Sequence, residues 1–393
     1  MSVGRTFQDQ QHTYVDRSSG REIVQLTRYL GHSYQFYFTH PCWLDSGRSF
    51  IFNSERENHN DHFRYDLETG LITQLTDSTS RCIRGGCLST ATSKLYYWIE
   101  SGLYELELDS LEERLVCEIE PGVQPGRLAA TADGCHLCVR LMEEGGSHVD
   151  NRPGPPRDGG SPELFESPPL SQVVRIEVGS GQIDVLHEDR RNIGHVNTSP
   201  TRADLLTFCH EGPWEQVDQR IWGVNAETKR VWPIRPQNGD HSVVAEHWLA
   251  DGERIGFRSH LRATNDTRFG HIRYDNSDHV ESVLSAYSRH FHTRDGSLVV
   301  GDGSPVYPLP AMINTCTTWP YILLYPRDGD GYGTARILAY HGSTFNVNSV
   351  HCHPHIAPDG EHVMYTSDTK GYANIYLVEI GDVGELLELR DNQ

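Results

Sequence analysis

No stretch of this sequence is apolar for the roughly 20 residues that a membrane-spanning helix needs. The polar N-terminus, 1–14, lacks the apolar core of a signal peptide. Both absences predict a cytoplasmic protein with no membrane partner. A disulfide framework is missing too: the nine cysteines are odd in number and scattered. Cys135 and Cys138, with two residues between them, fall inside what reads as a strand. Free thiols in a reducing compartment fit that pattern better. Positive charge is in deficit, with 34 Lys and Arg against 54 Asp and Glu, a formal net charge of −20. Such a surface repels nucleic acid and anionic membranes. An anionic substrate therefore requires a local concentration of Arg, His or metal. Helical periodicity is nearly absent as well.

What is present is a repeat. The chain has 393 residues, 37% hydrophobic and 22% charged, an ordinary globular balance. Short β-rich segments recur, often beside an Asp-Gly turn. Those turns stand at Asp133-Gly134, Asp251-Gly252, Asp295-Gly296 and Asp359-Gly360. Units of roughly 40 to 60 residues joined by such turns are the mark of propeller blades. Seven are read: about 43–77, 86–119, 127–188, 196–236, 244–286, 291–341 and 353–390. The expected fold is an all-β, seven-bladed β-propeller forming one domain. The segment 21–28 resembles a last strand without its blade, so it is expected to pair into the final blade and close the ring. The Pro- and Gly-rich region 144–171 reads as a long insertion in the third blade.

Chemistry concentrates in His351-Cys352-His353-Pro354-His355, just before the turn at Asp359-Gly360. In an extended strand, alternate residues share a face. The three imidazoles are expected on one side, where they could hold a transition metal. Solvated strands carry such histidines too, and the chain has 22. His32 and His195 sit at blade starts, and the innermost strands of a propeller line its channel. His32, His195, His210, His290 and His351 are expected to converge there.

The sequence resembles the oligogalacturonate lyase family over nearly its whole length. The densest stretch is Phe208-Cys209-His210-Glu211-Gly212-Pro213 followed by Val217-Asp218-Gln219-Arg220-Ile221-Trp222. Others are the run from Asp295 to Ser304 and the segment 351–360. The resemblance implies a propeller enzyme that cleaves short pectin fragments, with a divalent ion, most simply Mn²⁺, held by three histidines and a glutamine. Two of those histidines fall on His351 and His353, and the glutamine falls on Asn348. The third falls on Arg289, with His290 beside it and His292 beyond. Either His290 supplies the ligand, or Arg289 contacts the substrate carboxylate. A further family histidine falls on Ala245, with His247 close by.

β-Elimination of a 4-linked uronate begins with loss of the weakly acidic C5 proton. A cation at the C6 carboxylate stabilises the charge that develops, and a base must sit over C5. Arg220, with His195 and His210, is the candidate for base or charge stabiliser; His32, Arg289 and His247 are candidates for substrate binding. Arginine is a poor base, with a pKa above about 12. An ion pair of Arg220 with Asp218 or Glu211 is the structural alternative. Two other readings stand beside this one: a lyase on a different uronate-containing oligosaccharide, and a non-catalytic TolB-like propeller that binds a partner.

Overall fold

The computed structural model describes residues 2–143, 167–213, 216–261, 263–264, 266–303 and 319–389. Nearly all of the expected insertion, 144–171, lies outside the described residues. Seven antiparallel sheets follow one another along the chain. Two strands of the first sheet lie outside the segment 43–77. Ser33–Gln35 is its inner edge, and Thr6–Gln8 is its outer edge, paired with Leu71–Gln74. The fourth sheet shows the common plan: Ile193–Thr198, Leu205–His210, Ile221–Asn225 and Arg230–Pro233, from inside outward. Asp-Gly turns reverse the chain where a non-glycine residue would be strained. Gly252 and Gly360 stand at φ +69° and +77°, and Asp251 caps its turn by accepting from the backbone N–H groups of Glu253 and Arg254.

The seventh sheet is completed from the other end of the chain. Glu22–Gln25 pairs with Asn374–Glu379, with Ile23 opposite Val378, and His12–Val15 adds an outer strand. This is the expected ring closure. The same N-terminal stretch is also bound to the first sheet, where the buried guanidinium of Arg56 holds Asp9 at 2.8 Å. Alternating residues on each strand face the neighbouring sheets, so the core lies between blades. One apolar cluster joins Phe50, Phe63 and Tyr65 of the first sheet to Leu88 and Tyr97 of the second and Met364 of the seventh. The Phe50 and Tyr65 rings stack at 5.2 Å.

Ile23 is fully buried on the closing strand. Ile23→Ala is expected to cost about 2–5 kcal/mol in equilibrium urea unfolding. A loss below about 1 kcal/mol would show that the closing strand carries little of the ring's stability.

Candidate metal centre and active site

The inner segments of the sheets bring two clusters of polar side chains toward the middle of the ring. The first is His290, His351 and His353. One ring nitrogen from each lies within 4.8 Å of the others, and all three residues are buried. Their outer nitrogens are held where a partner is visible. His290 Nδ1 donates to Asp302 Oδ2 at 2.6 Å, and His351 Nε2 donates to the Phe345 carbonyl at 3.2 Å. His351 Nδ1 and His353 Nε2 have no hydrogen-bond partner. Burial pushes all three imidazoles below the ordinary histidine value, well below it for His351 and His353. Asp302 pulls His290 the other way without reversing it. Neutral rings with unpartnered lone pairs and fixed tautomers are what a divalent transition metal requires.

Strand alternation does not produce this arrangement. Only His355–Ile356 is a strand. His353 stands at φ +43°, a left-handed conformation rare for a side-chain-bearing residue. Gln35 holds it there, donating from Nε2 to the carbonyls of Cys352 (2.9 Å) and His353. The kink sends His355 elsewhere. Its Nε2 donates to the Phe38 carbonyl at 2.5 Å, and its ring meets His292 at 4.9 Å. The single shared face expected for His351, His353 and His355 is thus corrected: two converge and the third departs. His290, not Arg289, completes the trio. Arg289 is half-buried, and its backbone N–H donates to Asp302 Oδ1 at 2.7 Å. Its charge is felt by His290 and His351. Asn348 lines a cavity together with His353.

The second cluster surrounds Arg220. Its guanidinium is buried between two carboxylates, with Nη1 2.9 Å from Glu211 Oε2 and Nε 3.1 Å from Glu246 Oε2. Burial alone would lower its pKa, but Cys209, Glu211 and Glu246 raise it well above the ordinary arginine value. Asp218 is not its partner; that carboxylate pairs with Arg191 at 3.2 Å. His195 stands beside the pair, Nδ1 3.4 Å from Glu246 Oε1 and Nε2 3.9 Å from Glu211 Oε1. Its side chain keeps 23% exposure. One cation between two anions leaves a surplus negative charge beside the His195 ring. Cys209, Glu211 and His195 also lie close enough to share an ion, but the guanidinium on Glu211 opposes a second cation there. Tyr37 links the clusters, with ring centroids 5.2 Å from His195 and 4.9 Å from His353. Burial pushes its hydroxyl up to about 12, so it is a donor and not a base.

Three other candidates lie elsewhere. His210 follows Cys209 on one strand, so its ring takes the opposite face. There it packs on Trp222 at 5.3 Å, with Nε2 3.5 Å from Asp189. His32 accepts from the Ala373 backbone N–H at 3.0 Å, between the first and seventh sheets. His247 bonds the Ala245 carbonyl at 3.1 Å and packs against Phe38 and His292. A register shift between Val244 and His247, with Ala245 at φ +60°, aims Glu246 and His247 apart. Glu246, Asp302, Gln35 and Tyr37 were not singled out from sequence. Asp302 stood in a family-like run without a role, and Glu246 stood beside a flagged histidine. Gln35 and Tyr37 gave no signal.

A seven-bladed propeller with three neutral imidazoles converging near its axis, beside a carboxylate-clamped arginine, defines a metal-binding propeller of the polysaccharide-lyase kind. The sequence profile of the oligogalacturonate lyase family matches residues 1–383, and the chain belongs to that family. It is 26% identical over 389 residues to an oligogalacturonide lyase of Pectobacterium atrosepticum, covering 94% of this chain and 96% of that one. It is 25% identical to an oligogalacturonate lyase of Dickeya dadantii, covering 97% and 99%. The fold matches a solved oligogalacturonate lyase in complex with manganese (TM-score 0.83, 23% identity, 96% and 98% coverage). It also matches the oligogalacturonate lyase of Vibrio parahaemolyticus (TM-score 0.85, 22% identity, 97% and 99%).

Arg220→Met would leave Glu211 and Glu246 facing each other unpaired, at an expected cost of about 3–5 kcal/mol. Burial raises both carboxylates, but Arg220 and His195 outweigh it and hold them below the ordinary value of 4.5. A depressed folded-state pKa gives stability that is complete above the unfolded value and is lost as pH falls through the folded one. Wild-type stability is therefore expected to drop as pH falls below about 4.5. The variant should show a shallower drop in the same melting series, and parallel curves would contradict the assigned pairing.

Proposed function

We propose that the protein cleaves short oligogalacturonides by β-elimination, with Mn²⁺ held by His290, His351 and His353 and by the amide oxygen of Asn348. The observation that carries this reading is the set of three buried, neutral imidazoles with ring nitrogens close together, those of His351 and His353 unpartnered. When bound, the ion would act as a Lewis acid on the C6 carboxylate of the substrate. Arg220 stays charged, so its role is to stabilise the negative charge that develops and to hold Glu211 and Glu246. His195 is the base. It retains solvent access, and Glu246 behind it stabilises the imidazolium that forms, as a buried carboxylate does behind other catalytic histidines. Loss of the C5 proton to His195 leaves an electron pair that forms the C4–C5 double bond as the C4–O bond breaks, and the departing oxygen takes up a proton from water. The products are a 4,5-unsaturated uronide and a shortened chain. His210, His32 and His247 have no part in this chemistry. We place its action in the cytoplasm on imported oligomers, a reading supported by the eight described cysteines, all free.

The unsaturated product absorbs in the ultraviolet, so turnover can be followed directly. Chelation is expected to abolish the absorbance change on digalacturonate, and Mn²⁺ to restore it. Full activity of the chelated protein would sink the metal assignment. A second comparison separates the roles at the other cluster. His195→Ala should lower kcat/KM by roughly 10²–10⁴. Arg220→Lys keeps the charge but loses the planar fork, and should lower kcat more than it raises KM. Near-normal kcat in Arg220→Lys with a reduced melting temperature would assign that residue to the scaffold.

A further inference from the structure

A cavity of about 220 Å³ opens from the histidine centre toward the first three sheets. His353 and Asn348 form one end, and Asn53, Asn60 and His62 stand among the residues of its wall. Its lining holds a single permanently charged side chain, Arg127. The residue keeps solvent exposure, while its guanidinium lies 4.0 Å over the Tyr37 ring and is itself desolvated, which lowers its pKa from the ordinary arginine value. Among the described residues no carboxylate pairs with it. In a chain with a net charge of −20, an unmatched guanidinium in a cavity is an anion site. The rest of the wall suits a sugar. His62 is 2% exposed, with neither ring nitrogen hydrogen-bonded, and buried His40 has an unpartnered Nε2. Burial holds the His62 imidazole down to about 4, so it meets hydroxyl groups as a neutral donor and acceptor. Tyr34 and Asn60 already share a hydrogen bond at 3.4 Å along the same wall.

We propose that this cavity is the subsite for the uronate adjoining the one held at the three-histidine centre, and that Arg127 reads its carboxylate. The inference rests on the lyase reading above and deepens it: Arg127 makes the enzyme selective for fragments whose second carboxylate is free, not methyl-esterified. Tyr37 serves as a platform that fixes the guanidinium plane on one side and borders the histidines on the other.

The test uses the Mn²⁺-loaded enzyme, digalacturonate and its two monomethyl esters. Arg127→Gln is expected to raise KM for digalacturonate roughly tenfold, the worth of one charge-assisted contact. Mn²⁺ affinity, measured by calorimetry, should be unchanged. For the ester blocked at the adjoining unit, the variant and the wild type should have similar KM, so the wild-type preference for acid over that ester collapses. Arg127→Lys should recover part of it. An unchanged acid-to-ester ratio in Arg127→Gln would overturn the proposal. So would an equal loss on all three substrates with a lower melting temperature, which would make Arg127 a prop for Tyr37. Absence of unsaturated product from the wild type would instead sink the lyase reading. The acid-against-ester comparison would then be read from binding, where equal affinities in wild type and variant overturn the subsite.

Discussion

A ring of sheets holds together only if its first and last members are joined, and here one short antiparallel pairing joins them. Glu22–Gln25 against Asn374–Glu379 converts the last sheet from an open edge into an inner partner. One apolar cluster then spans the joint, because Met364 and Ile375 of the seventh sheet pack with residues of the first. Each blade contributes one inner segment, and the functional side chains stand at or beside those segments. Placement of the site thus follows from closure, not from local structure around any one residue.

Two kinds of electrostatics operate near the axis. Around His290, His351 and His353, burial removes charge: the rings are neutral and their lone pairs are left for a cation. Around Arg220, burial concentrates charge, because two carboxylates and a guanidinium stabilise each other's ionised forms. Tyr37 separates the two regimes by the width of one ring. Paired charges in the second cluster keep its carboxylates occupied, and a cation would find neutral nitrogens in the first.

Much of this was legible in the sequence, and the limits have physical causes. Asp-Gly turns and the recurrence of short β-rich segments identified a propeller, because those patterns follow from strand geometry. His351 and His353 followed from two grounds, the family resemblance and strand alternation, and the second failed because only His355–Ile356 is a strand and His353 is left-handed. A left-handed backbone at a histidine has no sequence signature, and it separates His355 from its neighbours. The adjacent pair Cys209 and His210 shows alternation working as expected: Cys209 stands beside Glu211 and His195, and the His210 ring takes the opposite face against Trp222. Glu246 was hidden by the bulge at Ala245, which breaks the count from which its direction would be read. Asp302 reaches His290 across one strand pairing, and Gln35 reaches His353 from the opposite end of the chain, so only the fold brings them together.

The position of Gln35 has a thermodynamic meaning. It belongs to the first sheet, and the carbonyls it holds, those of Cys352 and His353, belong to the segment entering the seventh. Phe38 and His355 make a second such tie, and Ser33 and Ala373 a third. Of the three histidines proposed to hold the ion, His351 and His353 therefore sit on the seam of the ring, where its two ends meet, and His290 comes from the neighbouring sixth sheet. A cation that binds only the closed form lends its binding free energy to closure, by RT ln(1 + [L]/Kd). A metal held by the proposed ligands would in that sense act as a clasp as well as a reagent.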